Sequence, residues 1–215
     1  MEQICLDISD ALQRGKAKEV KALCEQATEA GISAQTILEK GLLAGMNVVG
    51  EKFKNDEIFV PDVLLSARCM NKGVDVLKEQ LIESGMEEKG TVILGTVAGD
   101  LHDIGKNLVK IMMEGKGLRV IDLGTDVSAE VFVQNAIDNN ADVIACSALL
   151  TTTMVEMESI IRLLREKDTE GRIKVMVGGA PVNQAFCDSI GADAYTADAA
   201  TAAIAALEFC EGNER

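Results

Sequence analysis

The sequence predicts an all-helical amino-terminal unit followed by an α/β unit built on a parallel sheet. Three observations carry this. Up to about residue 85, apolar side chains recur only at helical spacing. A polar stretch with two glycines then interrupts the pattern at 83–90. Beyond it, short β-branched runs alternate with helical patterns to the end of the chain.

The elements follow in order. Ile4, Ile8 and Leu12 mark a first helix, and Val20, Leu23, Cys24 and Ala27 a second. Ser33 is placed to cap a third, with Ile37, Leu38, Leu42, Met46, Val49 and Phe53 on its inner face. Pro61 suits the first turn of a fourth, with Val63, Leu64, Ala67, Met70, Val74 and Leu77 inside. Four helices with short connections predict a bundle.

Strand-like runs come at 91–97, 118–123, 142–147, 173–177 and, more weakly, 193–195. Helical patterns lie near 104–114, 128–138, 152–167, 182–189 and 198–210. Five strands with five helices predict a doubly wound, flavodoxin-like sheet of order 2-1-3-4-5. The expected boundaries are a helical bundle over 1–84, a linker over 85–90 that serves as a hinge, and an α/β unit over 91–215.

Composition narrows the function. Apolar residues make up 47% of the 215, which supports a real core and excludes wholesale disorder. The net charge of −14 argues against nucleic acid and against an anionic membrane surface. No run approaches the roughly 20 apolar residues of a membrane span. The acidic start, MEQICLDISD, is no signal peptide, so a cytoplasmic protein is expected. The six cysteines form no C-x-x-C pair, which leaves buried free thiols as their reading.

In such a fold, ligands sit beyond the carboxyl ends of the strands. The first strand ends in Asp100-Leu101-His102-Asp103-Ile104-Gly105, and His102 is the only histidine. The third ends in Ser147-Ala148-Leu149 and a threonine run, Thr151 to Thr153. The fourth ends in Gly178-Gly179 and the fifth in Tyr195-Thr196-Ala197. Each has a plainer reading beside the functional one. Asp100 also reads as a helix cap, His102 as a surface residue, the hydroxyls as turn residues and the glycines as a tight turn.

Neither G-x-G-x-x-G nor a Walker sequence follows the first strand, which disfavours dinucleotides and P-loop nucleotides. No G-x-S-x-G elbow surrounds Ser147, which disfavours a hydrolase. A histidine backed by a carboxylate suits a metal ligand. One histidine cannot build a cage alone, but it can supply the axial ligand to a macrocycle-held metal.

Asp100-x-His102-x-x-Gly105, then Ser147-x-Leu149, then Gly178-Gly179 resembles the fingerprint of cobalamin-binding domains. The intervals match as well: 41 residues separate Gly105 from Ser147, and 28 separate Leu149 from Gly178. Met46-Asn47-Val48-Val49-Gly50, Phe53, Phe59-Val60-Pro61 and Ser66-Ala67-Arg68 resemble the helical cap of the cobalamin module of methionine synthase. The resemblance spans nearly the whole chain. With nothing appended at either end, the chain looks like a stand-alone corrinoid protein of a three-component methyltransferase system.

The resemblance implies the following roles. His102 is the axial ligand to cobalt, Asp100 bonds its other nitrogen, and Ser147 extends that network. Leu101, Asp103, Ile104 and Gly105 meet the corrin. Ser147, Leu149, Thr151, Thr152, Gly178, Gly179, Tyr195 and Ala197 line a channel for the displaced nucleotide tail. Phe53, Val60 and Val63 cap the upper face.

The implied cofactor is cobalamin or a related corrinoid in its methyl form. The implied function is a methyl carrier that is no enzyme alone. Cobalt(I) takes a methyl group from a one-carbon donor through a substrate-specific methyltransferase. Methyl-cobalt(III) gives it to a folate or thiol through a second methyltransferase, and a reductive activator rescues oxidised cobalt. Two alternatives stand: a cobalamin-dependent sensor, and a flavodoxin-like protein that binds no corrinoid. The donor, whether a methylamine, a quaternary amine, methanol or a methoxylated aromatic, is left open.

Overall fold

A computed structural model describes residues 2–83, 88–168 and 170–212 of the chain. It divides into two units, Met1–Glu87 and Glu88–Arg215. Of the stretch read as a linker, residues 85–87 lie outside the described residues.

In the first unit, helices α1 (Glu2–Gln13) and α2 (Ala17–Glu29) pack on each other, burying Cys5, Ile8, Leu12, Val20, Cys24 and Ala27. The third helical run is continuous but not uniform: α3 (Ala34–Ile37) passes through a π-helical stretch, Leu38–Leu43, into α4 (Ala44–Lys54). Ser33 caps it as expected, its Oγ accepting the Thr36 N–H at 3.2 Å. Ile37 and Leu42 are both fully buried although five residues apart, and the wider π turn brings them to one face.

Helix α5 (Val60–Glu83) begins with a reciprocal cap, Asp62 Oδ2 accepting the Phe59 N–H at 3.0 Å. Val63, Ala67, Met70 and Leu77 are buried. Leu64 was expected inside and is exposed instead, because Val63 and Ala67 already take that turn's inward positions.

The second unit carries strands β1 (Thr91–Thr96), β2 (Arg119–Asp122), β3 (Val143–Ser147), β4 (Lys174–Gly178) and β5 (Ala194–Tyr195). They form one parallel sheet of order β2-β1-β3-β4-β5, the predicted topology. β1 is buried along its whole length, as a central strand covered on both faces must be.

Helices α7 (Ala129–Asp138), α8 (Glu156–Lys167) and α9 (Gln184–Ile190) cover one face. Their Phe132, Val133, Met157, Ile160 and Cys187 pack on Ile93, Ile144 and Val175 of the strands. Helices α6 (Ile104–Glu114) and α10 (Ala199–Gly212) pack together, and α10 also meets β3 and β4. All six cysteines are buried free thiols; burial pushes the Cys24 thiol up to about 12.

The largest departure from expectation is α8. The apolar pattern suggested a start at 152, whereas residues 149–155 form turns and the helix starts at Glu156. The reason lies in the site: this loop is pinned by hydrogen bonds to Asp100 and is not free to wind into a helix.

Candidate functional site

The strand register places the candidate residues along one edge. Thr96 of β1 pairs with Ser147 of β3, Ser147 pairs with Gly178 of β4, and Val177 pairs with Tyr195 of β5. This row lies at the carboxyl ends of the parallel strands, where connecting loops converge.

Asp100 is the centre of the polar network. It lies just beyond β1, fully buried, and its two oxygens accept five hydrogen bonds. Oδ1 accepts the His102 main-chain N–H at 3.1 Å, a turn typical of aspartate, and the His102 Nδ1–H at 2.7 Å. Oδ2 accepts the Leu149 N–H at 2.7 Å, the Leu150 N–H at 3.2 Å and the Thr153 hydroxyl at 2.8 Å.

Burial by itself would raise this carboxyl. The Leu149 amide, the two His102 groups and Thr153 outweigh it and hold Asp100 well below the usual carboxylate range. Asp100 is therefore an anion at neutral pH and can only accept. That fixes a proton on Nδ1 of His102 and makes Nε2 the ring nitrogen available to a ligand.

His102 is presented outward. Its side chain is 52% exposed, and among the described residues Nε2 has no protein partner. Thr96, fully buried, donates its hydroxyl to the His102 carbonyl at 2.8 Å and anchors the main chain of the ligand loop.

The loops that carry His102 and bind Asp100 also carry exposed apolar side chains. Leu101 is 74% exposed and Ile104 75%, with Leu149 and Leu150 less so. Exposed apolar side chains on the two loops joined through Asp100, beside an exposed imidazole, suit a broad, largely apolar group. Gly105 stands in the first turn of α6, and a Cβ there would meet no protein atom within 4 Å. Among the described residues nothing requires glycine at that point, whereas a group lying over the turn would. These residues fit a corrin held through one axial nitrogen.

Behind the loop, Lys106 is buried and bonds both oxygens of Asp122, each at 2.7 Å, as well as the Asn107 carboxamide oxygen at 2.7 Å. Burial opposes the Asp122 charge, and the Lys106 ammonium and Gly124 N–H outweigh it, so its carboxyl is lowered. The pair fixes the first turn of α6 against the end of β2.

The other expected residues are placed as follows. Leu149, Thr151, Thr152, Gly179 and Ala197 are exposed at the strand-end loops, and Gly178 and Tyr195 are half-buried. Asp103 is exposed before α6, its carboxylate accepting from Asn107 at 3.1 Å. Gly179 has φ of 122°, and a Cβ there would fall 1.8 Å from the Ala148 carbonyl oxygen. Its glycine permits the β3 and β4 loops to touch, a reason internal to the chain. In the helical unit, Phe53 and Val60 are half-buried and Val63 is fully buried. The exposed large apolar residue of that stretch is Phe59, at 69%.

One expected role changes. Ser147 was assigned to the Asp100–His102 network, but among the described residues its hydroxyl makes no bond to Asp100; the hydroxyl there is Thr153. Ser147 ends β3, and the chain must turn before a side chain can reach back over Asp100. Thr96 and Thr153 were the residues missed. The threonine run signalled Thr153, but nothing in it singled out the third member.

Known proteins give the same picture. A family model described as "B12 binding domain" matches residues 90–208, and a second of the same description matches residues 5–78. The chain is 44% identical over 213 residues to dimethylamine corrinoid protein 2 of Methanosarcina acetivorans, covering 98% of each. It is 42% identical to a corrinoid protein of Desulfitobacterium hafniense, covering 89% of this chain and 91% of that one. Among solved structures, the methanol:cobalamin methyltransferase complex MtaBC of Methanosarcina barkeri contains a similar chain. That chain has a TM-score of 0.87 and 32% identity, over 98% of this chain and 80% of the other. The chain belongs to the B12-binding corrinoid proteins.

Proposed function

We propose that the chain is a corrinoid methyl carrier that works between partner methyltransferases and has no turnover alone. The observation that carries this is His102: its Nδ1 is locked by a buried carboxylate and its Nε2 faces outward amid exposed apolar side chains. The relatives add the class of system, since several are named dimethylamine corrinoid proteins and one structural relative is part of a methyltransferase complex. Methylated amines are the favoured donor class on those names.

His102 would hold the corrinoid through Nε2, and the corrinoid, when bound, supplies the methyl-transfer chemistry at its cobalt. Asp100 keeps the ring in one tautomer and one orientation. Thr153 and the two loop amides keep Asp100 ionised. Leu101, Ile104, Leu149 and Leu150 would meet the bound corrinoid with apolar surface and keep water from it. Ser147, Thr151, Thr152, Gly178, Gly179, Tyr195 and Ala197 would line the path of the nucleotide tail.

The test is an anaerobic visible spectrum of protein reconstituted with hydroxocobalamin, wild type beside His102→Ala. The expected result is one corrinoid per chain and a histidine-ligated spectrum that the substitution abolishes. Failure to retain corrinoid, or a spectrum indifferent to the substitution, overturns the site. Chain-dependent transfer of label from dimethylamine to a thiol, with methyltransferases supplied, separates a carrier from a sensor; a sensor binds and transfers nothing.

A further inference from the structure

The loop after β2 is bonded to the end of β1 and to the residues that lead to His102. The Thr96 N–H donates to the Gly124 carbonyl at 2.9 Å, and the Val127 N–H donates to the Thr96 carbonyl at 3.0 Å. Between these bonds stands Asp126, a non-glycine residue at φ of 56°. Side chains rarely adopt that conformation, and aspartate and asparagine tolerate it best.

The conformation has a visible consequence. It aims both hydrogen-bonding groups of Asp126 at the Gly99–Asp100 segment, one at the peptide before Gly99 and one at the peptide after Asp100. Its Oδ1 accepts the Gly99 N–H at 2.7 Å, and its own N–H donates to the Asp100 carbonyl at 3.0 Å. Asp126 is exposed, so no core packing accounts for it. Asp100 is thus held twice, by its carboxylate from the 149–153 loop and by its main chain from Asp126. A change of the backbone angles at Gly99 or Asp100 would swing the carboxylate, and the imidazole tied to it, away from its present direction.

We propose that Asp126 is a positioning residue that sets the aim of the Asp100–His102 pair by clamping the main chain on both sides of Gly99–Asp100. This rests on the reading of His102 as the axial ligand. The substitutions separate the parts. Asp126→Asn keeps an acceptor oxygen and tolerates the conformation. Asp126→Gly keeps the conformation and removes the acceptor. Asp126→Ala removes the acceptor and strains the backbone as well, and takes the place of glycine if that loosens the loop too far to fold.

The chain has one histidine, so protein grown with ¹⁵N-histidine labels His102 alone. Reconstituted with cob(II)alamin, it should show the doublet splitting of a ¹⁵N axial ligand in its electron paramagnetic resonance spectrum. In Asp126→Gly the ratio of histidine-ligated to unligated cobalt should fall about tenfold, the scale of one lost hydrogen bond to a charged group, and Asp126→Asn should restore it. In apoprotein, deuterium exchange at the Gly99 amide should quicken by about the same factor in Asp126→Gly alone. A ratio unchanged in Asp126→Gly, or lowered equally by Asp126→Asn, overturns the proposal. No doublet in the wild type overturns the His102 assignment itself, and this proposal with it.

Discussion

Thr153 reaches Asp100 from 53 residues away, and its bond is short and buried. Thr153→Val keeps the shape and removes the donor, leaving Oδ2 with two amides. The expected cost is about 1–3 kcal/mol of stability. Ser147→Ala, which touches no bond of the network, should stay within about 0.5 kcal/mol. Urea unfolding of apoprotein decides between them, followed by the emission of the single tyrosine, Tyr195, which lies in β5 and reports this unit. A larger loss in Ser147→Ala than in Thr153→Val would return the role to Ser147. The contrast also shows what was legible. Asp100 and His102 are two residues apart in one loop, so their contact is local and a motif can carry it. The hydroxyl partner is fixed by how a distant loop turns, and three successive threonines look alike until that turn is known. The same holds for Thr96 and Asp126, whose roles run through main-chain bonds that leave no periodicity.

At the scale of elements, the central strands were legible because covering both faces of a parallel sheet demands unbroken apolar runs. Gly95 breaks the run in β1, and the structure gives the reason: a Cβ there would lie 2.6 Å from Cζ of the buried Phe132. Strand and helix are therefore matched as a small and a large partner. Gly95→Ala should cost about 1–3 kcal/mol by overpacking. Combined with Phe132→Leu it should cost less than the two losses added, because the smaller side chain makes the room. A double-mutant cycle on the same tyrosine signal checks this, and strict additivity would mean the ring moves freely aside. Helix starts were less legible. The apolar pattern of α8 runs back past its true beginning, because Met154 and Val155 continue the spacing while Asp100 holds the loop ahead of them. The π-helical stretch is likewise invisible in the sequence: Ile37 and Leu42 read as inner-face positions of an ordinary helix, and the wider turn between them leaves no mark in the pattern.

On the scale of the whole molecule, two electrostatic effects oppose each other as pH falls. The chain carries a net charge of −14 at neutral pH, and that self-repulsion shrinks toward the isoelectric point near 4.5. Asp100 and Asp122 act in the other direction. Both have lowered carboxyls in the folded chain, so the unfolded chain binds their protons first as the solution turns acid. Their contribution is fully present above the unfolded value of 3.8 and is lost as pH falls through the lower folded values. Stability of apoprotein at low salt should therefore rise from pH 7.5 toward about 5 and drop steeply below about 4. Salt at about 0.5 M should flatten the upper limb, where exposed charges repel through solvent, and leave the acid limb, which rests on short hydrogen-bonded contacts. Asp100→Asn should lower the slope of the acid limb by up to about 1.4 kcal/mol per pH unit, the share of one titrating group. Urea midpoints across this range, in both salts and both proteins, measure all three features. An acid limb as steep in Asp100→Asn as in the wild type would show that the buried carboxylate is not what acid attacks, and would shift the weight to the Lys106–Asp122 pair.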